Sequence, residues 1–154
     1  MLGLYRNIGG GGERTFSRYR NSIDTDPSLL PVITTHDGIL GQEIVLNLFL
    51  RNGDINRYYT NISIIPYSTS GNDEISGLNG FGIKILRQTA QPSEAEWEGT
   101  DYGAYLSFPN IGDSLAGDIS TYHSFWYRVE IPAGTPITNR SNTSLRISYT
   151  ENVV

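Results

Sequence analysis

Alternation of apolar and polar side chains constrains the fold of this 154-residue chain most strongly. Two segments show it clearly, residues 43–50 (EIVLNLFL) and residues 122–131 (YHSFWYRVEI). In the first, every second residue from Ile44 to Leu50 is a large aliphatic residue, and the second alternates in the same way. Successive side chains of a β-strand point to opposite faces of a sheet, so each segment predicts a strand with one buried face.

Strand-like patterns recur along most of the chain, separated by turns rich in Gly, Pro, Asn and Asp. Residues 93–96 (SEAE) alone favour a helical turn. The pattern predicts an all-β fold, an antiparallel β-sandwich of Ig-like or jelly-roll type with about seven strands, over residues 29–154. The predicted strands are residues 30–35, 43–50, 59–67, 82–87, 102–108, 122–131 and 145–149.

The first 28 residues differ from the rest. Residues 9–12 are all Gly, and residues 1–20 carry four Arg against one Glu, a net charge of +3. Residues 21–154 carry seven basic and fifteen acidic residues, a net charge of −8. We therefore expect residues 1–28 to form an extended, flexible N-terminal arm that orders on a neighbouring protein, or by exchange between identical subunits of a homo-oligomer. The candidate arm contacts are Tyr5, Arg6, Arg14, Phe16, Arg18, Tyr19 and Arg20.

Composition argues against several classes of partner and chemistry. The acidic body argues against nucleic-acid binding over its surface. Without cysteine the chain has no disulfides, Cys-bound zinc or thiol nucleophile. No stretch approaches the ~18–20 apolar residues that a membrane span requires, and the start of the chain lacks the apolar run of a signal peptide. We expect no cofactor.

Residues that could carry catalysis are sparse. His36, beside Asp37, and His123 are the only histidines, and no Gly-x-Ser-x-Gly motif supplies a nucleophile for a hydrolase triad. The acidic groups at residues 24–26, 73–74 and 94–98 match no calcium-binding loop. We therefore predict no catalytic or metal-binding residue and no enzymatic activity. A small hydrolase is a further hypothesis. It requires a histidine beside a carboxylate and a nucleophile.

Aromatic residues in loops and at strand ends suggest a different alternative. Tyr58, Trp97 and Tyr102 are candidate surface aromatics, which anchor protein interfaces and also stack on sugars. A carbohydrate- or receptor-binding β-sandwich module is thus the alternative function, with a glycan as ligand. It requires Trp97 and Tyr102 to lie together on an exposed face.

Several segments together resemble a known class of proteins. These are the arm, residues 48–54 (LFLRNGD) followed by 59–62 (YTNI), and residues 125–135 (FWYRVEIPAGT) leading into 145–149 (LRISY). They resemble small virion structural proteins of tailed bacteriophages, of the decoration, neck or baseplate type, which combine an Ig-like sandwich with an extended arm. The resemblance implies a non-enzymatic subunit of a virion assembled in the host cytoplasm, with other capsid or tail subunits as partners.

Overall fold

The computed structural model describes residues 2–7, 16–18, 29–31, 34–36, 41–68, 75–135, 138–140 and 143–154. This part of the chain is mostly β, with one 3-10 turn (Leu78–Gly80) and one helical turn, α1 (Glu94–Glu98), among the described residues. The strands are β1 (Leu2–Asn7), β2 (Phe16–Arg18), β3 (Leu29–Pro31), β4 (Thr34–His36), β5 (Gln42–Asn52), β6 (Arg57–Ser68), β7 (Gly82–Leu86), β8 (Leu106–Phe108), β9 (Tyr122–Ile131), β10 (Thr138–Arg140) and β11 (Thr143–Val153).

The strands pair antiparallel throughout the described residues. One sheet has five strands in the order β2-β1-β5-β9-β7, and the other has four in the order β3-β11-β6-β8. Strands β4 and β10 form a separate pair. The predicted all-β, antiparallel fold is confirmed at this level, and the two larger sheets share one apolar core in a sandwich-like arrangement.

The core lies where the alternation of β5 and β9 predicts it. Leu48 and Phe125 are register partners at the centre of the five-stranded sheet, and both are fully buried. Ile64 and Leu145 contribute from the four-stranded sheet. Burying an aliphatic or aromatic side chain of this size contributes about 1.5–3 kcal/mol, so these paired strands supply much of the stability.

Two predicted strands differ from those observed. Residues 30–35 do not form one strand, because β3 pairs with β11 while β4 pairs with β10. Residues 102–108 contribute only the three residues of β8, because the chain near Gly103 instead bonds to β7, its N–H donating to the Ile83 carbonyl at 2.9 Å. The predicted helical turn is confirmed, with Ser93 as its N-cap in a capping box with Glu96.

The N-terminal residues also differ from the expected arm. Strand β1 pairs with β5 from Leu2 opposite Asn52 to Arg6 opposite Leu48, and β2 pairs with β1. The side chains of Leu2 and Leu4 are buried in the shared core. Residues 2–7 therefore belong to the sandwich, because they satisfy the backbone of β5 along one side and bury two leucines. Residues 8–15 and 19–28 of the expected arm lie outside the described residues.

Candidate functional site

The strongest candidate site is a group of exposed apolar side chains at one end of the sandwich. Three segments meet there, the β5–β6 turn, the loop of residues 109–121 and the end of β11. Leu115 is 87% exposed and Ile55 is 61% exposed, both unusually high for large aliphatic side chains. We call this surface the apolar tip, formed by Ile55, Leu115, Ile119, Val153 and Val154.

A buried asparagine joins the segments of the apolar tip. Asn52 is fully buried, and its Nδ2 donates to the carbonyls of Arg57 (2.6 Å) and Gly117. The Gly117 N–H donates to the Ile55 carbonyl at 3.2 Å. The loop packs so closely that a Cβ at Gly117 would lie 2.6 Å from the Arg57 carbonyl oxygen. The turn and the loop are thereby fixed against each other.

Two aspartates order the loop from within. The Asp113 carboxylate accepts from the N–H groups of Leu115 (2.7 Å) and Ala116 (3.0 Å). Asp118 accepts from the hydroxyl and the N–H of Thr121 and from Ser120, and these hydrogen bonds lower the pKa of its carboxyl. The exposed Leu115 is therefore carried on an ordered backbone, so a binding partner would incur little further ordering cost.

Acidic groups surround the apolar tip. Arg57 pairs with Glu151 at 2.6 Å and lies 3.6 Å from Asp54, while the Arg51 Nε donates to the Ile119 carbonyl at 2.9 Å. With Asp113 and Asp118 the rim holds four carboxylates against these two arginines. Exposed apolar side chains on segments that also carry a net acidic set of charges suit a protein-binding surface, with a partner that is apolar and basic.

A second set of polar residues, the Arg128 cluster, lies on the outer face of the five-stranded sheet. Arg128 is only 4% exposed and its guanidinium bonds to Glu94 at 2.9 and 3.0 Å and to Glu43 at 2.5 Å. Its Nε lies 2.9 Å from the Glu130 carboxylate, and the guanidinium sits 5.7 Å from the centre of the Trp97 ring. The cluster fastens α1 onto β5 and β9.

The remaining members of the Arg128 cluster complete this fastening. The Lys84 ammonium donates to the Trp97 carbonyl at 2.8 Å and lies 4.3 Å from the centre of the Tyr102 ring. The Tyr102 hydroxyl donates to Glu130 at 2.5 Å, and this bond, with burial, raises the pKa of Tyr102 to about 12. Because each charge already has a partner, the cluster acts as a structural clamp.

The Arg128 cluster makes the fold less stable at acidic pH. The hydrogen bond from Arg128 holds the pKa of Glu94 below its ordinary value. Stability from this ion pair is therefore full above the unfolded-state pKa of about 4.3 and is lost as pH falls through the lower folded-state pKa. We expect the midpoint temperature of unfolding to decrease as the pH is lowered below about 4.3. In Glu94→Gln this decrease should be less steep. Thermal unfolding followed by circular dichroism between pH 3 and 7 measures this, with Glu98→Gln as the exposed neighbouring control.

The predicted surface aromatics occupy three different environments. Trp97 is 2% exposed, so it is buried between α1 and the outer face of the sheet, beside Arg128, instead of being a surface aromatic. Tyr102 is 39% exposed and bonds to Glu130, and Tyr58 is half-buried in β6 opposite Asn152. Trp97 and Tyr102 therefore do not form the exposed aromatic face that the glycan-binding alternative required.

The predicted arm contacts that the structure describes lie on two paired strands at one edge of the five-stranded sheet, with Tyr5 opposite Arg18. Tyr5 and Arg6 lie in β1, where Tyr5 is half-buried, and Phe16 and Arg18 lie in β2. Arg14, Tyr19 and Arg20 lie outside the described residues.

The histidines and acidic residues assemble no recognisable centre in the described part of the chain. His123 Nε2 lies 3.4 Å from the Asn110 carbonyl, and its ring lies 6.2 Å from that of Phe108. His36 lies on a different strand, β4. Among the described residues, no group of three or more His, Asp or Glu side chains is placed to hold a metal ion. None of the helical segments described here is long and apolar enough to cross a membrane.

Comparison of the chain with protein-family models, curated proteins and solved structures finds no match. Function has to be inferred from the chain's own geometry, and the apolar tip is its most distinctive surface.

Proposed function

We propose that this protein is a non-enzymatic structural subunit of a viral particle, of the capsid decoration, neck or baseplate type, that docks through its apolar tip. The observation that supports the proposal most is Leu115, 87% exposed on a loop held by Asp113. Burial of such a side chain at an interface contributes about 1.5–3 kcal/mol to the free energy of binding. Because the loop is already ordered, little of this contribution is offset by the entropy cost of ordering it.

We propose in addition that the sandwich is of Ig-like or jelly-roll type and that the subunit forms a homo-oligomer. Other virion proteins, capsid or tail subunits, are the proposed partners, with assembly in the host cytoplasm. Arg14, Tyr19 and Arg20 remain candidate contacts of the N-terminal segment, since the positive charge of the two arginines suits an acidic neighbouring surface. The acidic rim of the apolar tip fits a partner with exposed Lys or Arg around an apolar centre.

A carbohydrate- or receptor-binding module that uses Trp97 and Tyr102 is the weaker alternative. Trp97 packs against the sheet, so a sugar cannot stack on it beside Tyr102.

Replacing Leu115 by Asp tests the docking proposal. The side chain is exposed, so the fold should be retained, while a charge in the apolar centre should reduce the subunit's occupancy in purified particles by about tenfold or more, the equivalent of 1.4 kcal/mol. Quantitative mass spectrometry of particles assembled with the variant measures copy number. Leu78→Asp, at an exposed leucine on the 3-10 turn, is the matched control and should leave occupancy unchanged.

Two results would overturn the proposal. The first is wild-type occupancy of the Leu115→Asp variant, which would exclude the apolar tip as the docking surface. The second is recovery of the wild-type chain only outside particles, which would exclude a virion subunit altogether.

A further inference from the structure

A cleft opens beside β9 at the point where β7 ends. Strand β9 has register partners on β5 from Tyr122 to Ile131, but its partners on β7 stop at Trp126. Among the described strands, the backbone of β9 from His123 to Phe125 therefore pairs only with β5. The chain after Leu86 diverges and forms one wall of the cleft.

Strand geometry predicts which backbone groups face this cleft. The Ile83 N–H donates to the Ile75 carbonyl and the Ile83 carbonyl accepts from Gly103, so the backbone groups of Ile83 point away from β9. Backbone groups alternate in direction along antiparallel strands, so those of Leu86 and Trp126 face each other. By the same alternation the N–H and C=O of Ser124 point to the side where β7 has ended.

The cleft has the size of a small-molecule site and a lining rich in hydrogen-bond donors. Its volume of about 410 Å³ falls in the range of about 300–1,000 Å³ that such sites occupy. Among the described residues no carboxylate lines it, although the chain carries a net charge of −5. The lining residues are Arg87, Gln88, Thr89, Pro109, Tyr122, His123 and Ser124.

Arg87 supplies the charge of this cleft. Its Nη1 donates to the Ser107 carbonyl at 3.1 Å, which holds the guanidinium between β7 and β8. Among the described residues Arg87 forms no ion pair, whereas Arg57 and Arg128 are both paired with carboxylates. Within the described residues four of its five N–H groups have no partner and can bond to a ligand, in a fork that matches a carboxylate.

The carboxylate of Glu96 contacts a lining residue, but it already accepts hydrogen bonds from elsewhere. Glu96 Oε2 lies 3.4 Å from Gln88 Nε2, but it also accepts from the Ser93 N–H at 2.7 Å and from the Ser93 hydroxyl at 3.0 Å. The capping box therefore occupies Glu96, and in the part of the chain that the structure describes no carboxylate pairs with Arg87.

We propose that this cleft binds a small carboxylate-bearing, hydroxyl-rich ligand, a sugar acid of the uronate type. Arg87 binds its carboxylate, and the Gln88 amide oxygen, the Thr89 hydroxyl and the Ser124 backbone bond to its hydroxyl groups. The Gln88 Nε2 already donates to the Ala90 carbonyl at 2.9 Å, and the Ser124 hydroxyl accepts from Asn47 at 3.0 Å. The site is distinct from the apolar tip, and its function is ligand binding in addition to docking. It also does not use the Trp97 and Tyr102 pair on which the glycan-binding alternative rested.

Titration of the full chain with sodium glucuronate, followed by ¹H–¹⁵N NMR, tests this proposal. We expect saturable shifts at Arg87, Thr89 and Ser124 with a Kd in the millimolar range, about −4 kcal/mol for one charge-assisted contact with several hydroxyl bonds. Glucose, without the carboxylate, and acetate, without the hydroxyl groups, should each bind about tenfold more weakly or worse. Arg87→Gln should weaken glucuronate binding about tenfold, while Arg57→Gln, the matched control, should leave it unchanged.

Thr89→Val removes an exposed hydroxyl and provides a second variant if Arg87→Gln perturbs the fold. It should weaken glucuronate binding several-fold while leaving acetate binding unchanged. Acetate binding as tight as glucuronate binding would contradict a sugar-acid site. The absence of saturable shifts in the wild-type chain would contradict any ligand site in the cleft.

Discussion

Deletion of residues 1–7 is expected to lower the free energy of unfolding by more than about 5 kcal/mol, which is the entire stability of many small domains. The deletion removes Leu2 and Leu4 from the core, and each large-to-small change of a buried leucine costs about 2–5 kcal/mol. It also leaves the backbone of β5 from Leu48 to Asn52 without the partners that β1 provides. Far-ultraviolet circular dichroism and urea unfolding of the truncated chain measure the effect.

Single substitutions separate the loss of the buried leucines from a general disruption of the fold by the deletion. Leu4→Ala should cost about 2–5 kcal/mol, whereas Ile65→Ala, at a 40% exposed strand position, should cost less than about 1 kcal/mol. A truncated chain with wild-type stability would instead mean that residues 1–7 act as the free arm that the sequence predicted.

Replacement of Arg128 by Leu should cost about 1.5–3 kcal/mol, the usual contribution of hydrogen bonds to a charged group, because Glu43 and Glu94 are more than half exposed and remain hydrated without their cation. The variant leaves Glu43, Glu94 and Glu130 close together without their shared cation, and it loosens the hold of α1 on the sheet. Urea unfolding at pH 7 measures the loss. Arg57→Gln, which breaks an exposed ion pair, is the control and should cost less than about 1 kcal/mol.

The three glutamates around Arg128 allow a second test of why Arg128→Leu should be destabilising. Adding Glu94→Gln to Arg128→Leu removes one of three adjacent negative charges, so it should restore part of the lost stability at pH 7. If the double variant is less stable than Arg128→Leu, repulsion among the carboxylates is not the cause of the loss.

The sequence predicted the central strands because their alternation is long and regular. Strands β5 and β9 each bury one face, and the periodicity of residues 43–50 and 122–131 shows this directly. Strand β1 was not predicted, because it alternates over only two leucines before a run of four glycines, a composition typical of flexible segments. Its place in the sheet depends on pairing with β5, about 45 residues away, which no local pattern encodes.

The Arg128 cluster and the apolar tip both depend on contacts between distant segments. Trp97 lies among three glutamates, a pattern typical of exposed segments, but one helical turn and the Lys84 bond to its carbonyl bring it against the sheet. Leu115 lies among Gly, Asp and Ser without periodicity, so nothing local distinguishes it as part of a surface. Asn52 and Gly117, 65 residues apart, form the contact that places its loop at the tip.

Hydrogen–deuterium exchange of the chain, free and in assembled particles, tests docking through the apolar tip most directly. The proposed role predicts slower exchange on assembly in residues 53–56 and 111–119, with the exposed turn at residues 78–80 unchanged. Protection confined to other surfaces, with residues 111–119 exchanging as fast in particles as in the free chain, would contradict it.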